Sequence, residues 1–95
     1  MSVYVVAQLR FTDEAIYRRY QGRFASVFAG AGGRLLVADE APIVLEGEWT
    51  RDKLVIMEFA TAASARDFLE SPAYRSISEE RRAGAETIAL LVRGL

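Results

Sequence analysis

Two carboxylates in the sequence stand where an acid or base would be useful. Glu46 lies between Leu45 and Gly47 in a β-rich stretch, and Glu58 closes the apolar run Leu54-Val55-Ile56-Met57, just before Phe59. A carboxyl group beside apolar strand residues is biased towards its neutral form, which brings its pKa closer to a working pH. The plainer reading of each is a strand-end carboxylate bonded to backbone or paired with an arginine, and structural ion pairs of that kind outnumber catalytic ones. Glu58 shares strand parity with Leu54 and Ile56, so it is expected to be partly buried and within reach of an arginine, a tyrosine or backbone N–H groups.

Arg34 follows Gly32 and Gly33, which let a ligand approach the backbone closely. It can hold a carboxylate or an enolate oxygen; as an exposed arginine at a strand start it would do neither. Tyr74, Ile77 and Arg81 are spaced along one side of a helix, so Tyr74 and Arg81 either look into one pocket or pin that helix to the sheet. Tyr17, Tyr20, Phe24, Phe28 and Trp49 are the aromatic supply. At three- and four-residue steps such side chains form core more often than a substrate box, although Tyr17 and Tyr20 can offer hydroxyls at a pocket rim.

Several chemistries are excluded. The chain has no cysteine and no histidine, which removes thiol nucleophiles, the commonest general base and the usual metal and haem ligands. Oxygen-only metal ligation needs converging carboxylates that the spacing does not provide, so no metal and no cofactor are expected. There is no glycine-rich phosphate loop, and Gly30 to Gly33 follow a helix end, the wrong end for phosphate. Twelve basic against thirteen acidic residues give a net charge of −1, which argues against a nucleic-acid partner. No apolar run approaches the ~18 residues of a membrane span. No basic leader region precedes the first strand, so the cytoplasm is the expected compartment.

The elements that must position these residues are legible in the 95-residue chain, whose length fits one domain over residues 1–95. Val3 to Leu9 reads as a strand. Thr12 and Asp13 are N-cap residues, and Ile16, Tyr17, Tyr20, Phe24, Val27 and Phe28 make the buried stripe of a helix that ends at Gly30. Gly22 interrupts that helix at a cost of about 1 kcal/mol relative to alanine, with close packing as its one evident reason. Arg34 to Ala38 is a strand and Asp39 to Pro42 a loop. Ile43 to Trp49 resumes extended structure, before a turn at Thr50 to Asp52 and a strand from Lys53 to Phe59. Thr61 caps a second helix, Ser71-Pro72 restarts a short third one through Arg81 or Arg82, and Thr87 to Val92 is the last strand.

The order is β-α-β-β-α-β with a short extra helix, the pattern of an α+β ferredoxin-like sandwich with a four-stranded antiparallel sheet. The strands are apolar on both faces: Val3, Val5 and Ala7 alternate with Tyr4 and Val6, and Ile88 and Leu90 with Ala89 and Leu91. Two helices cover one face of such a sheet, and a wet second face should be polar. A second copy of the chain is the simplest cover, so a homodimer through the sheet face is expected, with several of Val5, Val55, Met57, Leu90 and their alternating neighbours beneath the partner.

Thr12-Asp13 before a Tyr-rich helix, Gly32-Gly33-Arg34, Val44-Leu45-Glu46-Gly47-Glu48-Trp49, Val55-Ile56-Met57-Glu58-Phe59, Ala65-Arg66 and Ser71-Pro72-Ala73-Tyr74 follow in a telling order. Over Val3 to Val92 this set resembles the domain of unknown function 1330 family, within the dimeric α/β-barrel superfamily. The resemblance implies a ferredoxin-like protomer paired sheet to sheet, and no function. The superfamily spans cofactor-free monooxygenases, muconolactone isomerases, haem-dependent chlorite-decomposing enzymes and plain ligand binders, among which fold analogy does not choose. Family members often carry an arginine and glycines where this chain has Ala38-Asp39-Glu40, so an anion held there elsewhere need not be held here.

Two functions fit these residues. One is a cofactor-independent enzyme acting on a small organic molecule between helices and sheet, with Glu46 or Glu58 handling protons and Arg34 or Arg81 holding negative charge. The other is a non-catalytic dimeric module that binds a small ligand or merely assembles. A concave pocket in which a carboxylate meets an arginine or tyrosine favours the first.

Overall fold

The computed structural model describes residues 1–95. The elements run β1 (Val3–Phe11), α1 (Glu14–Phe28), β2 (Arg34–Asp39), β3 (Lys53–Phe59), α2 (Ala62–Glu70), α3 (Pro72–Gly84) and β4 (Ala85–Arg93). The strands form one sheet in the order β2-β3-β1-β4, and every neighbouring pair is antiparallel. This is the ferredoxin-like α+β architecture expected from the pattern.

Local chemistry sets the helix starts. The Asp13 carboxylate accepts from Ile16 N at 3.2 Å. Thr61 and Ser64 cap one another's backbone N–H groups in a reciprocal box. Ser71 closes α2 and opens α3: its hydroxyl donates to Phe68 O at 2.7 Å and accepts from Tyr74 N at 3.2 Å, and Pro72 follows. At the far end of α3, Gly84 O accepts from both Thr12 N (2.9 Å) and Asp13 N (3.1 Å), which fastens the start of α1 to the corner between α3 and β4.

The core lies between the helices and one sheet face. Val3, Val5 and Leu9 of β1 and Met57 and Phe59 of β3 meet Tyr17 and Tyr20 of α1, Phe68 of α2 and Tyr74 and Ile77 of α3. Tyr20, Phe24, Phe68 and Tyr74 close an aromatic circuit across the three helices, with centroid separations from 4.8 to 6.3 Å.

Strand register defines the other face row by row. Val37, Ile56, Val6 and Leu90 lie side by side, with Leu54, Gln8 and Ile88 in the next row and Glu58, Tyr4 and Val92 on the other side. A bulge between Leu35 and Val37 turns Val37 to this face while Leu35 opposite Met57 faces the helices. No helix covers these rows, and Leu90 is 52% exposed. Of the residues expected beneath a partner sheet, Leu90 is on the open face; Val5, Val55 and Met57 face the helices, and their alternating neighbours Val6, Leu54 and Ile56 take the outer positions.

Three local expectations are corrected. Ile43 to Trp49 is not extended sheet: it belongs to the long connection between β2 and β3, with Gly47 in the left-handed region at φ 86°. The run pairs with no strand, and its apolar Ile43 and Leu45 are almost fully exposed. α3 is not short; its 13 residues exceed the nine of α2. Gly22 is not a packing site, because a Cβ placed there meets nothing within 4 Å.

Candidate functional site

α1 and α3 do not close completely over β1 and β4. Between them lies a cavity of about 320 Å³, walled by Val5, Ala7, Met57, Phe24 and Leu69 and carrying polar groups from Tyr17, Tyr20, Tyr74, Ser78, Arg81 and Thr87. α1 brings its two tyrosines in because positions 17 and 20 lie on the stripe facing the sheet. α3 brings Tyr74 and Arg81 in for the same reason, so the pocket reading of that pair holds. Thr87 enters from β4, where it lies opposite the buried Leu9.

The Tyr20 and Tyr74 hydroxyls are hydrogen-bonded to each other at 2.9 Å in buried surroundings. Burial is the main cause that raises the Tyr17 phenol to about 12 and the Tyr20 phenol higher still; the Tyr20–Tyr74 bond adds to the latter. Both hydroxyls are therefore proton donors, not bases, at neutral pH. The positive charge of Arg81 opposes the rise for both, which places its guanidinium within their electrostatic reach. Arg81 Nε and Thr87 Oγ1 are buried and have no hydrogen-bond partner.

An ion cluster stands on the other flank of α1. Arg18 grips Glu40 with two bonds, at 2.6 and 2.8 Å, and also reaches Glu14 at 3.2 Å. The Arg18 bond is the chief cause that holds the Glu40 carboxyl at about 2. The Nζ of the buried Lys53 lies 3.5 Å from Glu40 and 5.1 Å above the Tyr17 ring. Burial lowers the Lys53 pKa and Glu40 pulls it back up. Glu40 is thus committed to an internal pair.

The remaining candidates lie elsewhere. Glu58 is on the open sheet face, half-buried, and accepts from Arg34 Nε at 3.0 Å. Its pKa is lowered, first by a hydrogen bond from Ser2 and then by Arg34 and Tyr4, with partial burial working against them. The expectation of a partly buried carboxylate paired with an arginine holds, and the raised pKa does not. Glu46 is exposed in the β2–β3 connection, and Trp49 shares a shallow groove with Pro42, Ile43, Val44 and Leu54. Four of the candidates, Tyr17, Tyr20, Tyr74 and Arg81, are brought together in the cavity; outside it, Arg34 meets Glu58 on the open sheet face and Glu46 shares the shallow groove with Trp49. Glu58 sits outside the cavity because the face it shares with Leu54 and Ile56 is the one turned away from the helices. Thr87 and Lys53 were not singled out by sequence reasoning. Strand parity was the available signal, since each is a polar residue in register with helix-facing apolar ones.

A four-stranded antiparallel sheet with helices on one face and a tyrosine-lined cavity beneath them defines a ferredoxin-like domain. The family model described as domain of unknown function (DUF1330) matches residues 2–95, and the chain belongs to that family. None of the curated proteins matches it in sequence. Among solved structures it is similar to RPA0582, a protein of unknown function from Rhodopseudomonas palustris (18% identity, TM-score 0.82, covering 99% of this chain and 82% of that one). It is also similar to a dimeric ferredoxin-like protein of unknown function from Thermobifida fusca (12% identity, TM-score 0.70, 99% and 92% covered). A third is SnoaB, a cofactor-independent oxygenase from Streptomyces nogalater (16% identity, TM-score 0.68, 99% and 93% covered). At these identities the likeness concerns the fold alone. No helix is long and apolar enough to cross a membrane.

Proposed function

We propose that the chain, acting as one domain, is a homodimeric protein that binds a small organic molecule in the cavity beneath α1 and α3. The observation that carries this reading is the cavity: about 320 Å³, mostly apolar, with a few convergent polar groups. A cavity of that kind is the default signature of a small-molecule site. Self-association through the open sheet face is supported by the apolar rows through Val6, Ile56 and Leu90 and by the dimeric state of the Thermobifida fusca relative. The groove shared by Leu54 and the exposed Ile43 and Val44 continues that apolar surface into the β2–β3 connection.

Cofactor-independent catalysis is the second reading, favoured by the buried Tyr20–Tyr74 pair and the unpaired guanidinium, which together can stabilise a developing oxyanion. Glu46 and Glu58 lie outside the cavity, so its chemistry would run on tyrosine donors and not on carboxylates. Titrating the isotope-labelled protein with a fragment library tests the binding reading. Saturable shifts confined to Tyr20, Tyr74, Thr87 and Ala89 are expected; a library that leaves these resonances unmoved overturns it. Conversion of a bound compound by the protein alone would select the catalytic reading.

A further inference from the structure

Among the charged side chains of the cavity, Arg81 alone has a buried donor that the protein leaves without an acceptor. It takes part in none of the ion pairs of the chain, which employ Arg10, Arg18, Arg19, Arg23, Arg34 and Lys53. Its Nε is buried and unbonded, and so is Thr87 Oγ1 in the same cavity. A buried guanidinium N–H and a buried hydroxyl without partners are costly unless something bound supplies the acceptors. Arg75 and Arg82 also line the cavity, with Glu70 as its single carboxylate, so the local charge is positive although the whole chain carries −1.

We propose that the cavity takes an aryl carboxylate, whose two oxygens accept from Arg81 Nε–H and Thr87 Oγ1–H while its ring lies among Tyr20, Phe24 and Met57. This deepens, and rests on, the reading of the cavity as a small-molecule site. Two donors match the two oxygens of a carboxylate. A phosphate monoester carries more charge and more acceptors than these groups can satisfy within apolar walls. The volume of about 320 Å³ corresponds to on the order of ten water molecules at ~30 Å³ each, enough for a one- or two-ring acid. Tyr20 and Phe24, 5.9 Å apart, offer the aromatic wall against which such a ring packs.

The test compares 2-naphthoate with its neutral isostere 2-naphthamide on the full chain at neutral pH, by calorimetry and by shifts of the cavity resonances. The acid is expected to bind about tenfold or more tighter than the amide, the usual weight of a charge-assisted bond. Arg81→Gln should remove that preference, costing the acid at least tenfold and the amide much less. Thr87→Val, which keeps the shape of the side chain, should weaken the acid several-fold and the amide little; it carries the test if Arg81→Gln does not fold. Equal affinity for acid and amide, or equal loss of both in Thr87→Val, overturns the anion site and leaves the small-molecule cavity standing. Failure of both probes to move any cavity resonance overturns the two readings together.

Discussion

Gly84→Ala should destabilise the fold, while the same replacement at Gly22 should stabilise it. At position 84 a Cβ would stand 2.5 Å from Tyr17 N and 2.9 Å from both Asp13 O and Tyr17 Cα. These are backbone atoms of the first turn of α1, and none can rotate aside. Ordinary contact needs about 3.5 Å, so α1 must retreat from α3 by roughly 1 Å. Overpacking of this kind costs about 1–3 kcal/mol, and a rigid backbone obstacle belongs at the upper end. Alanine returns up to about 1 kcal/mol of helix propensity, leaving a net loss near 2 kcal/mol. A domain of this size shifts by about 4–8 °C per kcal/mol, so Tm should fall by roughly 8–16 °C. At position 22 the Cβ meets nothing, and the gain of about 0.5–1 kcal/mol should raise Tm by a few degrees. Thermal unfolding followed by circular dichroism, at one fixed protein concentration, measures both. A Gly84→Ala variant that melts with or above the parent would refute the reasoning, since the contact between α1 and α3 would then not be close.

Leu90→Arg puts a charge at the centre of the open face and should yield a monomer by light scattering at micromolar concentration; a parent chain that is already monomeric there removes the dimer from the proposal. Tyr20→Phe and Tyr74→Phe should each cost about 1 kcal/mol in urea unfolding, and the double variant little more than either, because they share one hydrogen bond. Additive losses would mean the two hydroxyls are satisfied separately. Glu40, held at about 2 by Arg18 against an ordinary 4.5, contributes stability that is complete above pH 4.5 and fades as pH falls towards 2. Because the pair is more than a third exposed, the contribution is modest. The Tm difference between the parent and Glu40→Gln should therefore shrink between pH 5 and pH 2, and a constant difference would count against the pairing.

Much of this was legible in the residues. Asp13, Thr61 and Ser71-Pro72 announce their helices because capping is a local matter of side chain and neighbouring N–H. The spacing of Tyr74, Ile77 and Arg81 announces one face for the same reason. Ile43 to Trp49 misleads because apolar alternation reports a tendency to pair and says nothing of whether a neighbouring strand exists. α3 is longer than expected because Glu79, Glu80, Arg81 and Arg82 resemble a polar helix end, while the chain instead continues to Gly84, where α1 is waiting. Glu58 reads as a working residue because a carboxylate beside apolar positions suggests desolvation. Its actual surroundings, Ser2 and Tyr4 at the start of β1 and Arg34 at the start of β2, come from two separate stretches of chain that only the register brings together.

α3 passes into β4 without an intervening residue, Gly84 ending one and Ala85 beginning the other. Arg81 and Thr87 are therefore neighbours along the chain, on the two arms of a single corner, whereas Tyr20 and Tyr74 are separated by 54 positions. The two halves of the cavity thus differ in contact order. The corner can assume its shape from local interactions, before loop-closure entropy has been met, but the tyrosine half exists only once α1 has docked. Partial opening of the domain that releases α1 would leave the cationic corner intact and dissolve the aromatic wall. Hydrogen exchange in the presence of an occupant should accordingly slow most in α1, the element that has the furthest to return.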